Sequence, residues 1–555
     1  MPDLTPVLFG EWLPDQGLVG NPGSAEIKNC IPTPSGYRPM PGRILRSLTD
    51  AGAISGLDAR CQGAITFHNA EGDWAQVGNG LTITGAGDPA LAALSSTRVA
   101  FMDGTLDSLR TYDFSAAGTY TIAGDATKLY RITDETGTTS GFRDWTDVSQ
   151  AGGYSVNAEH QWDAAITILV NSVNSVVFTN INDEVQYAGV SASEFVDLIT
   201  STLKPRAAHL CVTTNFLVLA SMIEIGVEYR KRVRWSAFES IRDFDQSATT
   251  QSDAQDVEGD GDIQRLVAFG RDFYVFQEYG ITVARYEGTP TIFRFDLVEK
   301  NIGVVSPGSV VSYGRFVFFL SHDGFKMFDG AQVHHIGKEK ADRWAFDHVT
   351  VSQFNRISAA IDPRRGIVVW NLPFANTSRQ LAYSFVTQRW TYCDAFNLEF
   401  IFSDLSKGYE LEDLQLHGDL EDLPASLDSI VWVRGFPVMG SFDAANHALY
   451  SHDGSPIDAT LETLEQEHNP GYLTFVDIVK PLYDGEVDPG DISVAVGTRD
   501  LGSETRTFAA QVGLNSIDEA DVRSAARRHT YRVTFANGFD HALGVAVQQR
   551  QWGRQ

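Results

Sequence analysis

The first 41 residues of the chain carry eight of its twenty prolines. Each proline fixes φ and removes a backbone N–H donor, so this stretch can form neither a helix nor the centre of a sheet. The residues before the prolines are pushed toward extended conformations. We therefore expect an extended arm that lies over a surface and is anchored by Trp12, Leu13, Ile27, Ile31 and Tyr37. A disordered tail is the alternative, and five large apolar side chains disfavour it.

The body that follows reads as β-structure, because short apolar runs of period two alternate with Gly and Asp-Gly turns. The phrase Ser-His-Asp-Gly occurs at 321–324 and again at 451–454, and we interpret both copies as hairpin corners of related units. Repeated units of this kind predict a β-propeller, although the number of blades cannot be counted from the sequence. The clearest strand candidates are 164–170, 175–179, 215–220, 265–269, 273–276, 281–286, 315–320, 366–370, 381–385 and 429–433.

Helix is scarce. The best candidate covers 193–204, where Ser193 would be the N-cap and Phe195, Leu198 and Ile199 would share one face. A shorter helix is expected at 338–346. Both would be insertions on a sheet scaffold.

The 555 residues divide into three predicted parts. An extended arm covers 1–45 and joins a platform, a β-propeller with possible insertions covers 46–457, and a β-sandwich-like platform domain covers 458–555. The last part is predicted from strand candidates at 472–479, 492–497, 531–535 and 543–549. The fold class is therefore all-β.

The charge balance is strongly acidic, with 43 basic and 71 acidic residues and a net charge of −28. Proteins that grip DNA need clustered Lys and Arg, so this balance disfavours such a role, but an acidic wall would let DNA pass without sticking. One basic segment stands out, with Arg230, Arg232 and Arg234 on one face of a predicted strand beside Tyr229 and Trp235. It indicates either a subunit interface or a DNA contact.

Motifs of chemistry are missing from the sequence: it has no phosphate-binding loop, no zinc-protease motif and no nucleophile elbow. We expect no catalytic residue, no metal and no cofactor. The four cysteines form no C-x-x-C pair and are interpreted as reduced structural thiols. No apolar stretch is long enough to span a membrane, and no signal peptide opens the chain, so we expect synthesis in a cytoplasm.

Two polar clusters were weighed as metal sites. The acidic run of Asp253, Asp256, Glu258, Asp260 and Asp262 departs from the spacing of an EF-hand, so a solvated loop is the better interpretation. His334 and His335 would point to opposite faces of a strand, which disfavours joint chelation. A carboxylate pair for sugar hydrolysis remains open, because such a pairing is spatial.

The C-terminal part is locally basic through four arginines, whereas the stretch 404–428 is acidic. Opposite patches on one chain would pair between neighbouring subunits of a head-to-tail ring, or both would be solvated loops. The arginines are Arg523, Arg527, Arg528 and Arg532.

Several short segments resemble, in order along the chain, the tail-hub proteins of short-tailed bacteriophages, which are also called packaged-DNA stabilisation, head-completion or tail-nozzle proteins. The arm contributes Ala-Glu-Ile-Lys-Asn at 25–29 and Gly-Tyr-Arg-Pro-Met-Pro-Gly at 36–42. The segment 62–163 matches least. The other matching segments are 272–276, 281–288, 298–303, 316–330, 361–373 and 383–390.

The resemblance implies a homo-hexameric ring below the portal and adaptor of a virion, with tail fibres, spikes or a needle as further partners. DNA would leave through its central channel without sequence-specific binding, and the protein would not be an enzyme. Trp12, Tyr37, Arg38 and the C-terminal arginines are the expected assembly interface, and deletion of 2–42 is expected to leave a folded body that cannot assemble. The alternatives are a glycan-binding or glycan-degrading propeller of a phage tail, and a plain scaffold subunit.

Overall fold

The computed structural model describes residues 4–17, 21–45, 64–68, 74–78, 120–124, 127–133, 146–155, 162–170, 173–189, 192–405, 437–536 and 538–553. The predicted strand at 429–433 and most of the segment 62–163 lie outside these residues. The arm contributes five strands, which are β1 (Leu4–Leu8), β2 (Ser24–Lys28), β3 (Cys30–Pro32), β4 (Tyr37–Pro39) and β5 (Pro41–Leu45).

The body then runs through small antiparallel sheets whose strands follow one another in sequence. Its first half consists of β6 (Ala64–His68), β7 (Trp74–Gly78), β8 (Tyr120–Gly124), β9 (Leu129–Thr133), β10 (Thr146–Asp147), β11 (Asp163–Val170), β12 (Val173–Thr179), β13 (Gln186–Gly189), β14 (Val196–Asp197), β15 (Arg206–Val212), β16 (Leu217–Glu224), β17 (Val227–Trp235) and β18 (Asp253–Asp256).

Its second half consists of β19 (Asp260–Phe269), β20 (Asp272–Tyr286), β21 (Phe293–Lys300), β22 (Val311–Tyr313), β23 (Phe316–Ser321), β24 (Gly324–Phe328), β25 (Val333–His335), β26 (Ser358–Asp362), β27 (Ile367–Pro373), β28 (Ser378–Ser384), β29 (Arg389–Cys393), β30 (Leu398–Leu405), β31 (Pro437–Asp443) and β32 (Leu449–Pro456). The predicted strands 273–276 and 281–286 form the single long strand β20.

These strands are arranged as the blades of a β-propeller. Sheets β11–β14, β15–β18, β22–β25 and β26–β29 are four-stranded, each in sequence order, and β19–β21 is three-stranded. The first strands of successive blades contact each other, as β15 contacts β11 and β19, and β26 contacts β22 and β30. The predicted fold class is confirmed.

The period-two pattern of each strand gives its two faces to two different neighbouring blades. In β23, Val317 and Phe319 pack into the core shared with Phe276 of the preceding sheet. Phe318 and Leu320, which alternate with them, pack into the core that contains residues of the following sheet. Alternation of side chains across a strand therefore fills two interblade cores at once.

The last blade is completed by the beginning of the chain. Strands β30, β31 and β32 form a sheet whose fourth strand is β5 of the arm, which pairs antiparallel with β32. Such closure removes a free sheet edge. Residues 41–45, which were assigned to the arm, thus lie within a propeller sheet.

The C-terminal part forms a β-sandwich. Its strands are β33 (Ala459–Thr463), β34 (Leu473–Asp484), β35 (Ile492–Arg499), β36 (Thr507–Phe508), β37 (Val512–Gly513), β38 (Ala520–Ala526), β39 (Arg528–Phe535) and β40 (His541–Gly553). One sheet has the order β3-β4-β40-β34-β38 with β1 on β40, and the other contains β2-β33-β39-β35. Side chains of both sheets, such as Val547 and Val533, share one core.

Among the described residues the helices are short: α1 (Asp342–His348) and the 3-10 helices Pro307–Ser309, Val351–Arg356 and Pro489–Asp491. The helix expected at 338–346 therefore starts four residues later. The helix expected at 193–204 is wrong, because this segment is extended and contains β14. Phe195 packs into one interblade core and Leu198 and Ile199 into the next, so their spacing reflects two separate interfaces.

The two Ser-His-Asp-Gly copies are not equivalent. The first is the turn between β23 and β24, where Ser321 pairs with Gly324 as expected. The second lies inside β32, with Ser451 paired to Gly440 on one side and to Ile44 of the arm on the other. His452 is buried there, so the predicted second hairpin corner is wrong.

Candidate functional site

The N-terminal arm joins the propeller to the sandwich. Strand β2 pairs in parallel with β29 of the propeller, where Lys28 is opposite Tyr392. Its other edge pairs antiparallel with β33 of the sandwich. One ten-stranded sheet therefore runs from β26 through β29, β2 and β33 to β35. We call this region, with the arm residues packed on it, the arm junction.

The arm is anchored by the apolar side chains that the sequence singled out. Trp12 makes an edge contact with Trp344, with ring centroids 5.1 Å apart, and lies 5.0 Å from Tyr392. The Tyr37 hydroxyl donates a hydrogen bond to the carbonyl oxygen of Gly10 at 2.7 Å, and burial raises the pKa of Tyr37. Leu13, Ile27 and Ile31 are also buried, so all five expected anchors are in the core.

Trp12 and Tyr37 were also expected to form an interface between subunits, and their positions correct that role. Their exposed fractions in the single chain are 2% and 0%. A side chain this deeply buried has no surface left for a second subunit. The contacts that these residues make are intramolecular, between the arm and its own body.

The arm also caps the one α-helix among the described residues. The carboxylate of Asp15 accepts hydrogen bonds from the backbone N–H groups of Arg343 at 2.9 Å and Trp344 at 2.8 Å. The first N–H groups of a helix have no partner within the helix, so a carboxylate placed there satisfies them. Lys340, just before the helix, donates to Glu11 at 2.6 Å. Nothing in the local spacing of Asp15 signals this role.

A cavity of about 290 Å³ lies at the arm junction, between aromatic walls and an ionic floor. Glu462, which is fully buried, accepts from Arg532 Nη2 and lies 2.7 Å from Arg506 Nη2. Burial raises the pKa of Glu462 although both guanidinium charges oppose the shift. The Tyr392 hydroxyl donates to Glu26 Oε1 at 2.8 Å. The cavity is lined by Trp12, Leu13, Pro14, Gln16, Asn21, Ser24, Ala25, Glu26, Trp344, Tyr392, Glu462, Leu464 and Arg506.

The predicted DNA or subunit contact lies on β17, and its arginines are paired with carboxylates. Arg230 contacts Glu228 and Asp262, with Nη1 of Arg230 2.8 Å from Asp262. Arg232 contacts Asp256 and Glu224, and Arg234 contacts Glu224 at 2.6 Å.

Their partners include members of the acidic run that was weighed as a metal site, because β18 pairs directly with β17. The two clusters that the sequence presented separately thus neutralise each other. No group of three or more metal-binding side chains occurs in the part of the chain that the structure describes.

The C-terminal arginines are spread over two strands. Arg523 is exposed on β38, and Arg527 is half-buried just before β39. Arg528 lies 3.9 Å from both Glu465 and Glu467, and Arg532 is held by Glu462 at the arm junction. The acidic stretch expected to complement them lies almost wholly outside the described residues. Arg38, the remaining predicted interface residue, is half-buried on β4.

The other predicted polar residues are structural. Cys30, Cys211 and Cys393 are buried free thiols whose pKa is raised by burial, whereas Cys61 lies outside the described residues. His334 contacts Asp329 at 2.8 Å and lowers the pKa of that carboxyl to about 2. Nδ1 of His335 instead faces the Lys326 ammonium at 2.7 Å. None of the described helices is both long and apolar enough to cross a membrane.

No protein-family model and no curated protein sequence matches the chain. Three solved structures align with it. The nidogen/laminin complex has 13% identity over 41% of this chain and 80% of that chain, with a TM-score of 0.22. The Pan2 WD40 domain of Neurospora crassa has 10% identity over 64% and 87%, with a TM-score of 0.30. BBS1N in complex with ARL6DN has 8% identity over 64% and 91%, with a TM-score of 0.34. The propeller is assigned from the order of its own sheets.

Proposed function

We propose that this chain is a structural subunit of a phage tail hub or nozzle. Six copies form a ring below the portal and adaptor of the virion, retain the packaged DNA and provide the channel for its ejection. Fibres, spikes or a needle attach to the same ring. The protein makes and breaks no bond, and DNA passes without sequence-specific contacts.

The observation that carries this proposal is the position of β2 between β29 and β33. A conduit for pressurised DNA must transmit force between its parts without separating. Backbone hydrogen bonds run from the propeller sheet through the arm into the sandwich, so the parts cannot move apart without breaking a sheet. The segment 25–29, on which the resemblance to tail hubs partly rests, includes most of this strand.

The charge distribution also supports a conduit. The chain carries a net charge of −28, and its most basic strand is occupied by internal carboxylates. Phosphate groups bind where cationic side chains are available to replace their counterions. A wall with this balance repels DNA and keeps it mobile.

The mass of the assembly tests the proposal. We expect native mass spectrometry or light scattering to find a six-fold ring, alone or with a portal–adaptor complex. Arg523→Glu should weaken that ring, because Arg523 is exposed in the basic C-terminal part. Arg356→Glu, which reverses an exposed charge on the propeller, is the matched control. A persistent monomer that ignores the complex would contradict the proposal.

The cavity of the arm junction favours a second candidate, which is binding of a phage-receptor glycan. Sugars stack on aromatic rings and hydrogen-bond to carboxylates and guanidinium groups. Trp344 and Tyr392 supply the rings, and Glu26 and Arg506 supply the polar groups. Calorimetric titration with surface polysaccharide fragments tests this: heat of binding that Trp344→Ala removes would support it, and no heat with any fragment would exclude it.

A further inference from the structure

Arg38 is a cation without a partner. Its side chain is half-buried on β4, and its Nε is shielded from solvent without any acceptor. Its guanidinium forms no hydrogen bond and no ion pair with the rest of the described chain. A guanidinium carries five N–H donors and remains charged in proteins, so a shielded one is expected to face an anion.

Two more arginines lie close to it, at the turn between β26 and β27. Arg365 donates to Asp362 Oδ2 at 2.6 Å and to Asp453 Oδ1 at 2.5 Å. Arg364 donates to the same Asp453 oxygen, and this is the single hydrogen bond that its side chain makes among the described residues. Three guanidinium groups thus share two carboxylates, which leaves one positive charge uncompensated.

The neighbouring charges support this reading. Burial, followed by the positive charge of Arg365, lowers the pKa of Arg38, and the charge of Arg364 acts in the same direction while Asp362 opposes it. His452 adds no charge, because burial and the charges of Arg43 and Arg365 lower its pKa to about 3. The second oxygen of Asp453 is buried without a hydrogen bond, so Asp453 is not turned toward Arg38.

We propose that Arg38 and Arg364 form a binding site for an oxyanion, either a phosphate or a carboxylate group. The planar fork of arginine matches two oxygens of such a group, and the unused donors of both side chains supply the hydrogen bonds. The site goes beyond the structural role proposed above and does not depend on it. The oxyanion is either a free ion or an acidic side chain of a second copy of this acidic chain.

Thermal unfolding of the full chain in inorganic phosphate, compared with KCl of equal ionic strength, tests the site. We expect phosphate to raise the unfolding temperature saturably, by about 2 °C or more at several times its dissociation constant. Arg38→Gln should lose this rise and, without phosphate, should unfold at or above the wild-type temperature, because an unpaired charge is gone. Arg364→Gln should reduce the rise, and Arg356→Gln, which removes an exposed arginine elsewhere, should retain it.

Light scattering distinguishes the two sources of the oxyanion. If the ligand is a free ion, phosphate leaves the mass unchanged. If it is a carboxylate of a second copy, both phosphate and Arg38→Gln lower the mass. Either result supports the site, whereas an undiminished phosphate response in Arg38→Gln overturns it. Should Arg38→Gln fail to fold, an undiminished response in Arg364→Gln overturns it equally.

Discussion

Arg232 and Asp256 occupy directly opposed positions on β17 and β18, and their side chains form a two-pronged ion pair. Nε of Arg232 donates to Oδ1 of Asp256 at 2.7 Å, and Nη2 donates to Oδ2 at 3.2 Å. The same guanidinium lies 3.7 Å from the ring centroid of Tyr229 and reaches Glu224 at 3.0 Å. A basic run that resembles a nucleic-acid site by composition is therefore an internal network that holds a propeller blade together.

Removing the central carboxylate of this network should destabilise the propeller. Glu224 and Arg234 are each 6% exposed, and Nε of Arg234 donates to Glu224 at 2.6 Å. Glu224→Gln leaves a buried guanidinium without its counter-charge, which should lower the free energy of unfolding by about 3 kcal/mol. Urea denaturation followed by tryptophan fluorescence measures the change. Glu228→Gln, which removes a carboxylate that is 42% exposed, should cost less than about 0.5 kcal/mol. Equal losses in the two variants would contradict the role of burial.

Loss of the arm's main anchor should unfold the arm junction. Trp12→Ala removes a buried ring that contacts Trp344 and Tyr392, and we expect a loss of about 3–5 kcal/mol. Leu8→Ala is the control, because Leu8 lies on the same arm but is 63% exposed. Hydrogen exchange should show faster exchange in β33 and β40, which pair with arm strands. Unchanged protection there would show that the arm is dispensable.

Deletion of 2–42 should not leave a folded body, contrary to the expectation from sequence. The deletion removes β1 to β4 and the start of β5, so it opens both sheets of the sandwich and the closing blade. A Cβ at Gly544 would lie 2.3 Å from the carbonyl oxygen of Val7, which illustrates how closely β1 and β40 approach. Circular dichroism and limited proteolysis of the truncated chain test this, and a cooperative unfolding transition would contradict it.

Asp15→Ala should loosen α1. The substitution leaves the N–H groups of Arg343 and Trp344 without their carboxylate, and loss of such a cap costs about 0.5–2 kcal/mol. Asp347→Ala, at the other end of the same helix, removes an exposed carboxylate and should have a smaller effect. Urea denaturation compares the two variants, and the reverse order would exclude capping by Asp15.

Stability should fall as the pH drops from about 6.5 to about 4, in part because of His529. Burial lowers the pKa of His529 from 6.5 to about 4, and its two ring nitrogens have no hydrogen-bond partner among the described residues. The unfolded state therefore takes up a proton before the folded state does, which favours unfolding over this interval by on the order of 3 kcal/mol at its lower end. His529→Phe should flatten the curve and gain relative stability at pH 5.

The control for that experiment is His322→Gln, which removes an exposed histidine. Denaturant midpoints recorded from pH 8 to pH 4 should be parallel for this variant and the wild type. If His529→Phe also follows the wild-type curve, the buried imidazole does not contribute to acid sensitivity.

The sequence was sufficient for the class of fold, because side-chain alternation is a local property. Strand β23, for example, is readable from the run Phe-Val-Phe-Phe-Leu and the Asp-Gly turn behind it. The buried anchors of the arm were also predictable, since prolines exclude regular hydrogen-bonding patterns and apolar side chains must then find cover. The helix expected at 193–204 failed because helical spacing and packing into two adjacent cores produce the same pattern of apolar residues.

Only the tertiary structure decided which residues meet. Arg38 and Arg364 are 326 positions apart, and Lys28 pairs with Tyr392 across a similar separation. A single sequence carries no record of such contacts, because sheet pairing joins distant segments through backbone atoms that are the same in every residue. Whether an arginine is neutralised, like Arg232, or left without a partner, like Arg38, depends on these long-range contacts. The sequence alone therefore determined that this chain forms sheets, and the closure of those sheets determined where its charges are available.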